Sequence, residues 1–285
     1  MAAESTKKTV IVAVVLCFVC SVLVSSAAVY LKPLQAYNKA LDKKKNILEA
    51  AGLNKPGVDI EATFKSFEAR VVDMKTGQFA EGKVDLNTYD ARKAAKDPGM
   101  NIKIPGEKDV ASIRRIARYQ VIYLVKEKDE AGEEKIKKLI MPVKGYGLWS
   151  TLYGYIALDV DLNTVRGLTF YEHAETPGLG GEVDNPRWKS QWNGKLVYEA
   201  SGNIKLKVIK GKVDTSKPNA KYEVDGLAGA TITANGVTNL VAFWFGPEGY
   251  ANMISRLRTE WNAPLKAEAQ TEGADQNTKK EEEDV

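Results

Sequence analysis

The spacing of the hydrophobic residues changes along this chain, and each spacing predicts a different kind of element. An almost unbroken apolar run without a charged residue extends over residues 10–31, and about 20 such residues are enough to cross a bilayer as a helix. Residues 33–51 and 59–74 then carry apolar side chains every three or four positions. This period predicts two amphipathic helices, the first of them ended by Gly52.

The N-terminal run has two interpretations. Lys7 and Lys8 precede it and the small residues 26–28 lie near its end, as in a cleaved signal peptide. The run is long for a signal peptide, and we favour a retained membrane anchor that contacts the lipid bilayer. Lysines lie on both sides of it, so charge alone leaves its orientation open.

From residue 118 the apolar positions alternate with polar ones, which predicts antiparallel hairpins. Before them, residues 78–110 are polar and rich in turn-forming residues, so we expect an excursion with little regular structure. The whole order predicts an α+β fold, in which a single N-terminal transmembrane helix is followed by an antiparallel sheet with helices. The predicted hairpins pair 119–125 with 136–143, 153–160 with 165–171, and 195–199 with 204–209, and the last helices are 232–245 and 247–261.

Composition and charge exclude several classes of function. The chain has 41 basic and 37 acidic side chains, and no basic patch indicates nucleic-acid binding. Cys17 and Cys20, the only cysteines, lie inside the apolar run, and His173 is the only histidine. Beyond the run the sequence therefore offers no ligand set for zinc, haem or an iron–sulfur cluster, and we predict no metal site. Redox chemistry there would need an organic cofactor.

A loop of small residues at 225–231 leads directly into the predicted helix 232–245. The first turn of a helix has unpaired N–H groups that suit a phosphate, and Thr231 would place a hydroxyl at that point. The loop is neither a P-loop nor a dinucleotide fingerprint. Taken alone, it is also compatible with a plain turn and helix cap.

Two sequence motifs, one of them in this loop, resemble motifs of a known protein family. Asp225-Gly-Leu-Ala-Gly-Ala-Thr231 resembles the D-x-x-S/T-G-A-T signature on which periplasmic flavin transferases attach FMN to the last threonine through a phosphoester. Thr231 is the matching acceptor, with Thr233 as the fallback, and Ala228 replaces the usual Ser or Thr. A second segment, His173-Ala-Glu-Thr-Pro-Gly-Leu-Gly180, resembles the E-T-P-G-L-G motif of the same flavoproteins.

Together with the N-terminal run, these motifs resemble the family of the C subunit of the bacterial Na⁺-translocating NADH:quinone reductase. The related G subunit of Rnf-type complexes shares the flavin motifs, but residues 145–150 and 180–188 are closer to the C subunit. The resemblance implies covalent FMN, electron transfer between partner subunits, and maturation by a flavin transferase. The residues that it implies at the flavin are Thr231, Asp225, Gly229, Ala230, Thr176, Gly178, Leu179, Gly180, Trp149 and Tyr146.

The resemblance also implies a place in the cell, the bacterial inner membrane. Residues 1–9 are then cytoplasmic, 10–31 span the membrane, 32–263 form a periplasmic FMN-binding domain, and 264–285 form a disordered charged tail. The chain shows no nucleotide-binding fingerprint for NADH, so it does not complete the reaction alone. Two alternatives remain at this point: a membrane-anchored assembly module without cofactor, and a secreted flavoprotein whose N-terminal run is cleaved.

Overall fold

The computed structural model describes residues 5–128, 132–263 and 265, and the chain divides into two units, residues 1–45 and 46–285. From Thr6 on, the first unit belongs to one long helix, α1 (Thr6–Ala50). The large apolar side chains from Val10 to Leu31 are exposed, and α1 is the one helix of the described residues long and apolar enough to cross a membrane.

Pro33 lies inside α1, so the prediction of a separate helix beginning at Pro33 is wrong. A proline removes one backbone hydrogen bond from a helix. The neighbouring leucine, alanine and lysine residues favour the helix and continue it. The tail predicted from residue 264 lies outside the described residues, apart from Leu265, which packs against the core.

The second unit combines strands with short and long helices. Its elements are α2 (Ile60–Phe64), β1 (Phe67–Asp73), β2 (Gln78–Phe79), α3 (Ala91–Ala94), β3 (Asn101–Lys103), β4 (Arg115–Ala117), β5 (Tyr119–Lys128), β6 (Glu134–Tyr146), β7 (Thr151–Asp159), β8 (Val165–Glu172), α4 (Pro186–Ser190), β9 (Lys207–Val208), β10 (Glu223–Val224), α5 (Thr231–Phe245) and α6 (Ala251–Glu260). Six strands form an antiparallel sheet with the order β2-β1-β5-β6-β7-β8. Two further pairs of short strands, β3 with β4 and β9 with β10, lie outside it.

The first two predicted hairpins are confirmed, as β5 with β6 and β7 with β8. The third is wrong. Its two segments share only an isolated bridge between Tyr198 and Ile204, and β9 pairs with β10 in parallel instead. The hydroxyl of Thr238 on α5 accepts a hydrogen bond from the Val208 amide at 3.0 Å, so contacts from distant residues fix β9 in this pairing.

The helix predicted over residues 59–74 is also wrong. α2 begins after the N-cap Asp59 and ends at Phe64, and the chain then continues as β1, which pairs with β5 from Phe67 to Asp73. The apolar residues here fit the spacing of a helix and of a strand about equally. Pairing with β5 gives the backbone from Phe67 to Asp73 hydrogen-bond partners along one side, and this tertiary contact decides the outcome.

The sheet has one apolar cluster on each face, because alternate strand residues point to opposite sides. Ile122 and Leu124 belong to the larger cluster, which includes the buried residues of α5 and α6. Tyr123 and Val125 point the other way and pack in a cluster with residues at the C-terminal end of α1. The predicted last helix is confirmed from Ala251 on, four residues later than expected.

The central strand β6 has two halves with different neighbours. Its pairing with β5 extends as far as Ile140, while its pairing with β7 continues to Tyr146. Beyond Ile140, the Tyr250 hydroxyl donates to the Pro142 carbonyl at 2.8 Å and the indole N–H of Trp244 donates to the Lys144 carbonyl at 2.7 Å. Side chains of Tyr250 and Trp244 thus donate to β6 carbonyl groups where β5 no longer pairs with this strand.

Candidate functional site

The loop of small residues leads into α5, which begins at Thr231, one residue before the predicted start at residue 232. Gly229 has φ +69°, a left-handed conformation that favours glycine. Ala230 is the N-cap and provides no side-chain hydrogen bond to the first turn. Thr231 is exposed, so its hydroxyl lies at the open, positively polarised end of a 15-residue helix.

Asp225, at the start of this loop, is engaged in contacts within the protein. Its carboxylate accepts from the Val213 amide at 2.7 Å and from the Gln191 side chain at 3.1 Å. Its own carbonyl accepts from the indole N–H of Trp188 at 2.8 Å. Asp225 therefore anchors the loop to α4 and to residue 213, and its contact with a cofactor stays a prediction.

The Thr176–Gly180 segment forms a tight turn that reaches the same place. The carbonyl of Thr176 accepts from the amides of Leu179 and Gly181 at 3.1 and 2.9 Å, and Gly178 has φ +75°. A methyl group added to Gly229 would lie 2.9 Å from Cδ2 of Leu179. The two motifs, about fifty residues apart in sequence, are thus in contact.

Gly180 is small for a reason that the sequence does not reveal. Gly180 is among the residues that the resemblance implies at the flavin, but it is buried. A methyl group on it would lie 2.6 Å from the Thr233 hydroxyl and 2.7 Å from Oε2 of Glu175. The space beside Gly180 is therefore occupied by the protein itself.

Glu175 connects the parts of the site, and sequence reasoning missed this role. Its side chain is buried, with 5% exposed. Oε1 accepts from the amides of Leu148, Trp149 and Ser150 at 3.1, 3.0 and 3.2 Å, and Oε2 accepts from the Thr233 hydroxyl at 2.7 Å. Because Thr233 is fully buried in this contact, it does not suit the fallback role of flavin acceptor.

The pKa of Glu175 reflects these contacts. Burial by itself raises the pKa of a carboxyl group, but the hydrogen bonds from Thr233 and from the three backbone amides outweigh it, and the pKa of Glu175 is lowered from its ordinary value. His173 supports the same segment: its Nδ1 accepts from the Glu175 amide at 3.2 Å, and its Nε2 lies 2.7 Å from the Asp184 carboxylate. Glu175 is thus an ionised side chain in a well-fixed loop.

Large apolar side chains are exposed on the three segments that Glu175 joins. We call them the apolar site surface. Outside α1 few other large apolar side chains of the described residues are exposed to this degree. The predicted aromatic residues belong to this surface. Their loop packs closely against α5, because a methyl group added to Gly236 would lie 2.5 Å from the Tyr146 carbonyl oxygen. The members are Tyr146, Leu148, Trp149, Leu179 and Ile232, with exposed fractions of 45, 36, 66, 44 and 57%.

A narrow cavity of about 50 Å³ lies beside Thr231. This is the space of one or two waters, too small for a flavin ring but suited to a small anionic group. Lys210 and Asn235 are among its polar lining residues. The lining residues are Ile209, Lys210, Gly211, Gly226, Leu227, Thr231, Ala234 and Asn235.

These features fit FMN. An exposed hydroxyl, an uncapped helix start and a lysine surround a space suited to a phosphate. The neighbouring apolar site surface gives a planar ring something to cover. Eight of the ten predicted residues lie in the two contacting loops, with Thr231 at the end of one of them. The other two are Trp149, whose amide is bonded to Glu175, and Tyr146, whose carbonyl lies against Gly236.

Comparison with known proteins agrees with this geometry. The family described as FMN-binding domain matches residues 147–246, a range that includes Trp149, the Thr176–Gly180 turn and Thr231. The chain is 51% identical over 259 residues to the C subunit of the Na⁺-translocating NADH-quinone reductase of Pseudomonas aeruginosa, covering 90% of this chain and 97% of that protein. It is 45% identical over 255 residues to the C subunit of the Vibrio anguillarum enzyme, covering 90% and 96%.

Solved structures give the same result for the fold. The crystal structure of Shewanella oneidensis NqrC superposes with a TM-score of 0.69 at 34% identity, covering 78% of this chain and 99% of that one. The crystal structure of the C subunit from Parabacteroides distasonis gives a TM-score of 0.58 at 28% identity, covering 79% and 97%.

Proposed function

The chain belongs to the C-subunit family of the Na⁺-translocating NADH-quinone reductases, and from this premise we propose that Thr231 is the residue that carries its FMN. The resemblance predicted from the motifs is confirmed, and the C subunit is preferred over the Rnf-type alternative. The protein is an electron-transfer subunit with covalently bound FMN in a complex that couples NADH oxidation and quinone reduction to Na⁺ translocation. An assembly module without cofactor is not supported.

The observation that carries the proposal is the exposed Thr231 hydroxyl at the uncapped start of α5. The phosphoester would use the oxygen of this hydroxyl. The helix dipole and the free N–H groups of the first turn stabilise negative charge at this point. Lys210, on the wall of the adjoining cavity, adds a positive charge that attracts the same phosphate.

The apolar site surface would receive the flavin ring. Trp149 and Leu179 are exposed on two different loops, and covering them removes apolar area from water. Bound FMN supplies a group that accepts and passes on electrons one at a time. Thr231 would hold that group, and Trp149 and Leu179 would lie against its ring.

We also propose a maturation partner and a location for this protein. A flavin transferase would need access to Thr231, which its exposure and the small residues Gly229 and Ala230 permit. We place residues 10–31 in the inner membrane, in contact with lipid, and the FMN-binding domain in the periplasm. The apolar, exposed part of α1 supports the membrane segment.

The attachment is tested with Thr231→Ala and the matched variant Thr231→Ser, both expressed with the flavin transferase. Thr231→Ala should be folded and lack the mass of one FMN, since the attachment hydroxyl is gone. Thr231→Ser keeps a hydroxyl and should retain flavin. An intact-mass spectrum of Thr231→Ala that still shows covalent flavin would exclude Thr231 as the acceptor.

The location is tested separately. The protein should remain in the membrane fraction after carbonate extraction, and protease added to spheroplasts should degrade the FMN-binding domain. A mature N-terminus near residue 29 would demonstrate cleavage of the apolar run. Protection of the domain in intact spheroplasts would place it in the cytoplasm instead.

A further inference from the structure

The Glu175 carboxylate makes four hydrogen bonds although its side chain is almost inaccessible to water. Three donors are the consecutive amides of residues 148–150, and the fourth is the Thr233 hydroxyl. All four donors are neutral groups. They stabilise the ionised form of the carboxylate without cancelling its charge, as a salt bridge to a basic side chain would.

These bonds join elements that are distant in the sequence. The amide of Trp149 belongs to the turn between β6 and β7, Thr233 lies two residues after Thr231 on α5, and Glu175 precedes the Thr176–Gly180 turn. Each of these elements contributes a side chain to the apolar site surface. One carboxylate therefore links all three elements that carry those side chains.

The surrounding glycines show how tightly the carboxylate is enclosed. A methyl group on Gly147 would lie 2.6 Å from Oε1 of Glu175, and one on Gly180 would lie 2.7 Å from Oε2. Contacts this short are not tolerated without movement of the carboxylate. Glycine at both positions makes room for it, so the local sequence on two separate loops is fitted to this side chain.

We propose that Glu175 is a positioning residue of the flavin site, which fixes the geometry of the apolar site surface and maintains a negative charge directly behind it. The inference rests on the proposed function, because it takes Thr231 as the attachment point. The pKa of Glu175 is lowered from its ordinary value, so the carboxylate is ionised at neutral pH. Reduction adds negative charge to a flavin, and a nearby buried anion opposes this step. Glu175 therefore lowers the reduction potential of the bound flavin.

Two substitutions separate geometry from charge. Glu175→Gln keeps an oxygen that can accept from the amides of residues 148–150, and its NH₂ group can donate to the Thr233 hydroxyl, which accepts as well as donates. Glu175→Ala removes both the contacts and the charge. The matched control is Glu182→Gln, a neighbouring carboxylate that is partly exposed and bonded to the neutral Asn185 side chain at 2.6 Å, and whose charge is screened by solvent.

The experiment uses the full-length protein with its covalent flavin, purified in detergent. Flavin content is measured by intact mass, the midpoint potential by spectroelectrochemical titration, and access to the flavin by iodide quenching of its fluorescence. We expect Glu175→Gln to retain wild-type quenching and to shift the potential to a more positive value. Glu175→Ala should show increased quenching as well as the positive shift, and Glu182→Gln should match the wild type in both.

The outcomes distinguish this inference from the proposed function. Wild-type protein without flavin on Thr231 would contradict the proposed function, whatever Glu175 does. Flavin present on Thr231 in all variants, with an unchanged potential in Glu175→Gln, would overturn the role of the charge. Wild-type quenching in Glu175→Ala would overturn the positioning role. If Glu175→Ala does not fold, the potential of Glu175→Gln against that of Glu182→Gln decides the test.

Discussion

Replacing Gly180 by alanine tests the internal support of the flavin site without touching its surface. The added methyl group would lie 2.6 Å from the Thr233 hydroxyl and 2.7 Å from Oε2 of Glu175, the two atoms that form a 2.7 Å hydrogen bond. Gly180 itself is buried, so the methyl group has no route to solvent. The substitution must separate Thr233 from Glu175 or displace the turn.

Two contributions determine how much Gly180→Ala lowers the free energy of unfolding. Loss of a hydrogen bond to a buried charged group costs about 1.5–3 kcal/mol, and overpacking of a filled interior costs about 1–3 kcal/mol. Together they give roughly 2.5–6 kcal/mol, and in a domain of this size each kcal/mol lowers the unfolding temperature by about 2–4 °C. Gly180→Ala should therefore unfold roughly 5–24 °C below the wild type.

The assay is thermal unfolding of the full-length protein in detergent, followed by near-ultraviolet circular dichroism. The control is Gly106→Ala, because a methyl group there has no neighbouring atom within 4 Å. It should unfold within a degree or two of the wild type. Equal unfolding temperatures for Gly180→Ala and Gly106→Ala would refute the argument that the Thr233–Glu175 contact fills this space.

Three further predictions concern other parts of the domain. Trp149→Ala should change the unfolding free energy by less than about 0.5 kcal/mol, because the side chain is exposed. It should nevertheless increase iodide quenching of the flavin, and unchanged quenching would show that Trp149 does not cover the flavin. Gly167→Ala should lower the unfolding temperature, since its methyl group would lie 2.5 Å from the Ala50 carbonyl; wild-type stability would contradict close packing there. The pKa of Glu175 is lowered by folding from an ordinary value of 4.5, so its ionisation stabilises the protein above that pH and this stabilisation is lost on acidification. Urea titrations should show a smaller loss of stability below about pH 4.5 for Glu175→Gln than for the wild type, and equal losses would exclude this linkage.

The parts of the fold that can be predicted from the sequence are those with a local cause. α5 begins at Thr231 because small residues, a left-handed Gly229 and a helical apolar period follow one another directly. The β5–β6 and β7–β8 hairpins have alternating strands and turn residues between them. By contrast, the segment from Phe67 to Asp73 is a strand because it pairs with residues about fifty positions further on. No local pattern contains that partner.

In the candidate site, too, features with a local cause can be predicted from the sequence and features that depend on distant residues cannot. The motifs identify Thr231 and the Thr176–Gly180 turn, because their residue types are read directly from the sequence. Glu175 is visible in the sequence as the first residue of the E-T-P-G-L-G segment, but its contacts are not, since its donors lie 25–27 residues before it and 58 residues after it. The role of Gly180 is hidden for the same reason: the atoms that exclude a side chain there belong to Thr233 and Glu175. Only the folded chain brings them together.

The incomplete pairing of β6 has a consequence for how the chain is made. A strand with free carbonyl groups at an edge is a template for addition of a strand from another molecule. Here the groups that cover the Pro142 and Lys144 carbonyls come from Tyr250 and Trp244, about a hundred residues later. All strands of the six-stranded sheet precede Trp244 and Tyr250 in the sequence, so these strands are synthesised before the side chains that cover the two carbonyl groups. Truncation before Trp244 would leave that edge permanently uncovered, and such fragments should aggregate rather than accumulate as folded protein.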